Sequence, residues 1–189
     1  MTRDRPPIET IGSRTVYTNR WLTLREDRIR RADGSEGIYG VVDKPPFALV
    51  VPCDRGRLHL VGQWRYPVGR FCWEFPQGAL EGRPDAPIEE VARTELAEET
   101  GLRAGRLEQV GELYAAYGYS SQSYFVFLAS DLTQGEASPE HEEQGLVTRT
   151  VTTAEFEEMV RSGEMLDGPS VAAYGLLRAR RQAEFEPQR

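Results

Sequence analysis

Alternating and continuous apolar runs along the chain predict a series of short β-strands. The pair Asp33-Gly34 is typical of a hairpin turn, and Lys44-Pro45-Pro46 interrupts the pattern between two strands. Residues 1–12 show no such pattern and are predicted to form a loose leader. The predicted strands are Arg14–Thr18, Trp21–Arg31, Gly37–Val42, Phe47–Pro52, Leu58–Tyr66, Phe71–Phe75, Leu107–Ala116, Ser123–Ala129 and Leu146–Val151.

Three segments have helical spacing instead. The first runs from Pro87 to Thr100, with Gly101 suited to the position just past its end. The second is Thr153–Ser162, and the third begins near Asp167, with Asp167 or Ser170 at its cap, and extends to about residue 184. The polar stretch Thr133–Gln144 is predicted to be a loop.

Strands on both sides of one helix, followed by two terminal helices, predict an α/β (α+β) fold in which a mixed sheet is sandwiched between helices. Residues 1–44 are expected to form an N-terminal antiparallel β-extension, and residues 45–189 the main domain. Such a small β-extension buries little apolar surface alone, so we expect it to pack on its own domain or on a second subunit.

One helix face combines apolar and acidic residues. At about 100° per residue, Val91 and Ala92 share a face with Glu95 and Glu99, and Glu98 lies at its edge. Like charges four residues apart cost about 0.2–0.5 kcal/mol, and anions near a helix C-terminus cost about 0.3–1 kcal/mol more. A hard divalent cation would relieve both penalties. The alternative is an ordinary solvated acidic face.

Composition narrows the possible classes of protein. The chain has 189 residues, 39% of them hydrophobic and 28% charged, which is typical of a globular protein with a sizeable core. The net charge of −7 argues against a nucleic-acid groove. No stretch approaches the ~20 apolar residues of a membrane span, and Cys53 and Cys72 have neither zinc nor CxxC spacing. We therefore expect a cytoplasmic enzyme with free thiols.

The stretch Gly78–Leu102, GALEGRPDAPIEEVARTELAEETGL, resembles the Nudix box. The helical half of that motif matches Glu95, Leu96, Glu98, Glu99, Gly101 and Leu102, and its first glycine matches Gly78. Two departures stand out. Thr94 occupies the place of the usual arginine, and the loop is about two residues longer, with Glu81 nearest to the family's early loop glutamate.

The resemblance implies Mg²⁺-dependent hydrolysis, or Mn²⁺ in its place, of a nucleoside diphosphate linked to another group. It implies Glu95, Glu98 and Glu99 as metal ligands, with Glu98 and Glu99 also catalytic. It also implies the Gln77 carbonyl as a further ligand, and a substrate contact at Gly78, where glycine permits a close backbone approach.

Outside the box, Gln63–Pro67 and Trp73–Gly78 are similar to the QYRYP and WELPAG runs of ADP-ribose and other nucleotide-sugar pyrophosphatases. That likeness implies a homodimer, in which N-terminal strands exchange contacts, and a small-molecule nucleotide substrate. It also implies substrate contacts from this region, for which we select Arg65 and Trp64, since a guanidinium pairs with phosphate in bidentate fashion. The alternative for Arg65 is an ion pair with Glu74.

The same group of enzymes keeps an acidic residue in the loop after the sheet, as a metal ligand or general base. Glu140, Glu142 and Glu143 lie in the corresponding loop, and Glu143 is our first choice. A solvated acidic loop is the alternative.

Two other functions remain open. The sequence Pro76-Gln77-Gly78 is similar to that of diadenosine polyphosphate and RNA 5′-pyrophosphohydrolases, and Tyr117 and Tyr119 could stack on a base. Thr94 in the place of arginine would also suit a Nudix module that binds a nucleotide without cleaving it.

Overall fold

The computed structural model of the chain describes residues 6–79, 85–138 and 145–180. Contacts divide the chain into two compact units, Met1–Pro46 with Tyr114–Ser123 and Phe47–Leu113 with Tyr124–Arg189. In the described ranges the helices are α1 (Ile88–Thr100), α2 (Thr153–Ser162) and α3 (Gly168–Arg180). The strands are β1 (Ile8–Thr18), β2 (Thr23–Arg31), β3 (Glu36–Asp43), β4 (Phe47–Asp54), β5 (Arg57–Arg65), β6 (Arg70–Glu74), β7 (Gln77–Gly78), β8 (Leu102–Tyr114), β9 (Ser123–Gln134) and β10 (Val147–Thr152).

The first unit is built on an antiparallel sheet in the order β1-β2-β3. The predicted turn at Asp33-Gly34 is confirmed, since Gly34 has a positive φ of 84° and its amide donates to the Arg31 carbonyl. The prediction of a loose leader is wrong for residues 8–12, because β1 begins at Ile8, which pairs with Arg31. This part of β1 is held by its backbone ladder and is largely exposed, so it carries no hydrophobic alternation.

Residues 114–123 also belong to the first unit. The Val42 amide donates to the Tyr119 carbonyl at 2.8 Å, and the Tyr39 hydroxyl donates to the Gly118 carbonyl at 2.8 Å. Ser121 donates to the Asp43 carboxylate, which also accepts a hydrogen bond from Arg25. These bonds hold the segment against β3.

Among the described residues, the sheet of the second unit has seven strands, and it is mixed, as predicted. Its main path has the order β10-β5-β4-β9-β8, while β6 pairs with β5 and β7 pairs with β4. The central strand β4 runs parallel to β9 and antiparallel to β5 and β7. The short strand β7, which the apolar pattern does not predict, therefore joins the sheet at its centre.

The alternation of β4 explains the layers of the second unit. Ala48 and Val50 belong to a buried cluster with Leu96 of α1. Leu49 and Val51 belong to another cluster, which includes Phe156 of α2 and residues of α3. Because successive side chains of a strand point to opposite faces, helices cover both faces of the sheet. The predicted α/β/α sandwich is confirmed.

The helix signals in the sequence are confirmed where the structure describes them. The chain leaves α1 at Gly101, whose φ is 74°. Helix α2 has a reciprocal capping box between Thr152 and Glu155. The predicted loop from Thr133 is wrong for its first two residues, which continue β9, and β8 begins five residues earlier than predicted, at Leu102. No helix in the described ranges is long and apolar enough to span a membrane.

Candidate active site

The strand β7 meets helix α1 at two glutamates. The backbone amide of Gln77 donates a hydrogen bond to Oε2 of Glu99 at 3.1 Å. A Cβ built on Gly78 would lie 2.5–2.7 Å from the carboxyl atoms of Glu95. A side chain at position 78 would therefore collide with Glu95, and only glycine lets the strand and this carboxylate approach so closely.

Both glutamates are buried. Glu99 is 1% exposed and Glu95 is 8% exposed, whereas Glu98 is half-buried at the edge of the face. Burial of a carboxylate is costly unless hydrogen bonds or an opposite charge stabilise it. An ordinary solvated acidic face is therefore excluded for Glu95 and Glu99, as the placement of both on the apolar face predicts.

The donor atoms here suit a hard cation. Carboxylate oxygens are ligands that Mg²⁺ and Mn²⁺ prefer, and both Glu95 and Glu99 lie against the backbone of Gln77–Gly78. The space left by the missing Cβ of Gly78 is what admits the Glu95 carboxylate. Within residues 6–79, 85–138 and 145–180, no three His, Cys, Asp or Glu side chains are gathered as a metal site. The ligand roles of Glu95, Glu98, Glu99 and the Gln77 carbonyl stay predictions.

Arg65 forms a bidentate ion pair with Glu74. Its Nε donates to Oε2 at 3.0 Å and its Nη2 donates to Oε1 at 2.6 Å. Gln63 also donates to Oε1, at 2.8 Å. Burial raises the pKa of the Glu74 carboxyl, and Arg65 opposes that rise. Arg65 thus forms the ion pair with Glu74 that was the alternative to a substrate contact. However, 39% of its side chain stays exposed, and the substrate contact remains a prediction.

Trp64, the second residue predicted to bind substrate, lies next to that pair. It is 63% exposed and pairs across the hairpin with Phe71, which is 44% exposed. Opposite residues on neighbouring antiparallel strands share one face of the sheet. Trp64 and Phe71 therefore form an exposed aromatic surface, and the role of Trp64 in binding stays a prediction.

Two residues join the site without having been predicted there. Asp167 Oδ2 accepts a hydrogen bond from the Gln77 side chain at 3.2 Å, and Ser170 Oγ accepts one from the Phe75 amide at 2.8 Å. The sequence marked both only as helix-cap candidates. The strand pattern does indicate that Glu74 has a partner. Glu74 follows Cys72 by two residues and so lies on the buried face of β6, where a carboxylate needs a partner.

Arg93, the neighbour of Thr94, does not take the place of the arginine that the Nudix box usually has at position 94. Arg93 pairs with Glu89 one turn earlier at 3.0 Å and donates to the Ala104 carbonyl at 3.1 Å. Thr94 is half-buried. Arg93 therefore points away from the face of Glu95 and Glu99, as the helical spacing predicts.

The remaining candidate site residues are acidic residues of two loops. Glu81 and the loop residues Glu140, Glu142 and Glu143 lie outside the described residues. The assignment of Glu143 as general base stays a prediction.

Comparisons with known proteins identify the family of the chain. Residues 8–42 match the family described as nucleoside diphosphate sugar hydrolase N-terminal domain, and residues 43–168 match the NUDIX domain. The chain is 34% identical to the ADP-ribose pyrophosphatase of Mycobacterium tuberculosis, covering 90% of this chain and 82% of that protein. It is 29% identical to the ADP-ribose pyrophosphatase of Bacillus subtilis, covering 87% and 89%.

The fold has a solved counterpart. The crystal structure of an ADP compounds hydrolase superposes with a TM-score of 0.83 at 20% identity, covering 97% of this chain and 98% of that one. With the NUDIX match over residues 43–168 and two buried glutamates of its motif packed on Gln77–Gly78, the chain belongs to the Nudix family of hydrolases.

Proposed function

We propose that this chain is a Mg²⁺-dependent hydrolase of the pyrophosphate bond in a nucleoside diphosphate sugar, with ADP-ribose as the first candidate. Water attacks one phosphorus, the bond from that phosphorus to the bridging oxygen breaks, and two phosphomonoesters leave. From ADP-ribose these are AMP and ribose 5-phosphate. Two relatives named ADP-ribose pyrophosphatase support this choice of substrate.

One observation carries the proposal, namely that Glu95 and Glu99 are buried on one face of α1 against Gln77–Gly78. With Glu98 and the Gln77 carbonyl, these residues would hold Mg²⁺, or Mn²⁺ in its place. When bound, such a cation neutralises the diphosphate and the charge that develops in the transition state. A helix and a paired strand are rigid elements, which suits the task of holding several ligand oxygens.

The substrate contacts that we propose come from β5. Arg65 faces the solvent with part of its guanidinium while Glu74 fixes the orientation of the group, so it is prepared for a phosphate or ribose oxygen. Trp64 offers an exposed ring for stacking. We assign the general base to Glu143, which must come within hydrogen-bond reach of the attacking water.

The deciding experiment assays a panel of nucleoside diphosphate sugars for released phosphomonoester, with and without Mg²⁺. We expect ADP-ribose to be cleaved to AMP and ribose 5-phosphate. Glu99→Gln keeps an acceptor for the Gln77 amide but removes the charge, so it should lower turnover at least about 100-fold. Glu90→Gln is the matched control, because Glu90 is an exposed residue of the same helix. A fully active Glu99→Gln enzyme would refute the proposal.

We also propose that the protein is a homodimer that forms through its N-terminal β-extension. The first unit exposes several large apolar side chains, among them Val16 at 49%, Trp21 at 47% and Ile38 at 66%. Exposed large apolar side chains concentrated in one small unit are typical of an interaction surface. Sedimentation equilibrium should give a mass twice that of the chain, and Ile38→Lys should shift it towards the monomer. A monomeric wild-type protein would contradict this.

A second substrate class has specific support. A segment of 69 residues is 41% identical to the RNA pyrophosphohydrolase of Thioalkalivibrio sulfidiphilus, although it covers only 36% of either chain. Tyr117 is 85% exposed and Tyr119 is 61% exposed, so both could stack on a base. Presenting triphosphorylated RNA, a diadenosine polyphosphate and ADP-ribose at equal concentrations would separate these functions by product identity.

A further inference from the structure

The segment Phe75–Gly78, which carries the backbone side of the candidate site, is anchored by three different elements. The Phe75 amide donates to Ser170 Oγ in α3 at 2.8 Å, and the Pro76 carbonyl accepts from the Val50 amide in β4 at 2.9 Å. The Gln77 amide donates to Glu99 in α1 at 3.1 Å. Helix α3, remote in sequence, thus helps to fix the segment on which Glu95 and Glu99 pack.

The anchor in α3 depends on Asp167, the residue just before that helix. Asp167 Oδ2 accepts the Ser170 amide at 2.9 Å and the Ser170 hydroxyl at 2.7 Å. A hydroxyl has one hydrogen, so its donation to Asp167 turns the lone pairs of Ser170 Oγ towards the Phe75 amide. Ser170 is fully buried, which leaves no solvent to take over this role.

Asp167 also reaches the segment directly. The Gln77 side-chain nitrogen donates to Asp167 Oδ2 at 3.2 Å and to Glu74 Oε2 at 3.3 Å. Two carboxylates, one from β6 and one from the start of α3, therefore orient the side chain of Gln77. The backbone of the same residue binds Glu99.

We propose that Asp167 is a positioning residue for the active site, acting through Ser170 on Phe75 and directly on Gln77. It sets the segment Phe75–Gly78 so that its backbone meets the carboxylates of Glu95 and Glu99. This proposal rests on the proposed function in one respect, namely that Glu95 and Glu99 bind a divalent cation. Residues that orient the ligands of a metal typically change its affinity about 10- to 100-fold when they are removed.

The competing explanation is that Asp167 only caps α3. A matched control exists, because Thr152 caps α2 in the same way, through the amide three residues on, and its hydroxyl bonds to Glu155 of that helix start. Thr152→Ala and Asp167→Ala should both lower the thermal midpoint, since each removes one helix cap. Asp167→Ala should lower it more, because it also removes the bonds to the Ser170 hydroxyl and the Gln77 side chain. Only Asp167→Ala should alter the site.

The first measurement is the affinity of the full chain for Mn²⁺ in the absence of substrate. The electron paramagnetic resonance signal of free Mn²⁺ reports how much of the ion is bound. We expect Asp167→Ala to raise the Kd for Mn²⁺ about 10- to 100-fold, and Ser170→Ala to raise it by less. Asp167→Asn keeps an acceptor oxygen and should restore most of the affinity. Thr152→Ala should bind Mn²⁺ like the wild type. Equal affinities for Asp167→Ala and the wild type would overturn the proposal, as would an equal loss in Thr152→Ala.

Amide hydrogen exchange read by NMR provides a second measurement that needs no metal. Asp167→Ala should speed exchange at Phe75 and Gln77 at least about 10-fold relative to β4, whereas Thr152→Ala should leave both rates unchanged. If the wild type bound no Mn²⁺, the metal assignment of the proposed function would fail, and the exchange rates would still decide whether Asp167 positions the segment. Unchanged rates in Asp167→Ala would refute it.

Discussion

The backbone amide of Gln77 and the carboxylate of Glu99 are joined by a hydrogen bond of 3.1 Å, although they lie 22 residues apart. Glu99 is 1% exposed, so this bond forms in an environment of low polarity, where it is stronger than in water. It couples the strand in which the Nudix box begins to the helix that ends the box.

Gly78→Ala should impair the site while the fold remains intact. The new Cβ would lie 2.5–2.7 Å from the Glu95 carboxyl, so either that side chain or β7 must move. We expect turnover to fall about 10- to 100-fold, because Glu95, which we propose as a metal ligand, would be displaced. Steady-state kinetics and circular dichroism check both parts.

The control for that change is Gly175→Ala in α3, where an added Cβ meets nothing within 4 Å. Alanine is a better helix former than glycine, so this variant should gain about 0.5–1 kcal/mol of stability and keep full turnover. Unimpaired turnover in Gly78→Ala would show that the position of Glu95 is not critical.

Arg65→Met should destabilise the protein by leaving Glu74 buried without its opposite charge. Loss of one partner of a buried ion pair costs about 3–5 kcal/mol, and we expect the lower end because 39% of the Arg65 side chain is exposed. Urea unfolding measures the change. In the double variant Arg65→Met/Glu74→Gln most of the loss should be recovered, because no buried charge is then left alone.

Arg70→Met provides the comparison for Arg65. Arg70 lies opposite Arg65 on the neighbouring strand and is exposed, so its replacement should change stability by less than about 0.5 kcal/mol. A loss in Arg65→Met no larger than that in Arg70→Met would mean that the ion pair contributes nothing measurable.

Local signals in the sequence are sufficient to predict α1 and its acidic face. Pro87 and Gly101 mark its ends, and a period of 3.6 residues puts Glu95 and Glu99 on the apolar face that the structure buries. The same holds for α2, where Thr152 and Glu155 form the capping box. These features depend on residues within one or two turns, so the pattern contains all the necessary information.

Contacts between distant segments could not be predicted in this way. Asp167 bonds to Gln77 across 90 residues, and nothing in the local pattern of either residue points to the other. Strand β7 has only two residues and is defined by its pairing with β4, so periodicity cannot detect it. Strand β1 begins at the exposed Ile8, where pairing with β2 rather than burial of side chains determines the conformation.

Gly101→Ala should lower stability for two separate reasons. Gly101 ends α1 with φ at +74°, which costs an L-residue about 1–2 kcal/mol. In addition, its Cβ would lie 2.6 Å from the Gly135 carbonyl oxygen. Gly163→Ala separates the two effects, since Gly163 ends α2 at φ +78° with nothing within 4 Å of an added Cβ. Chemical unfolding should show the larger loss for Gly101→Ala, and equal losses would mean that the segment from Gln134 to Ala137 moves aside freely.

His59 should make stability depend on pH near neutrality. Burial lowers its pKa in the folded chain, and the nearby Arg57 acts in the same direction. An unfolded chain takes up the proton at about pH 6.5, whereas the folded chain takes it up only at lower pH. Between these values the unfolded state binds more protons, so the free energy of unfolding falls as the pH decreases. The contribution of neutral His59 is fully present above that window and is lost within it.

His59→Gln tests this pH dependence, because glutamine does not titrate yet can still hydrogen-bond to Thr150, which lies 3.2 Å from Nδ1 in the native chain. Urea unfolding at about pH 7.5 and about pH 5.5, at constant ionic strength, should show a smaller loss on acidification in His59→Gln than in the wild type. Thr150→Val keeps the imidazole and should retain the wild-type trend. If His59→Gln lost as much stability as the wild type, then groups other than His59 would be responsible for the acid sensitivity of this fold.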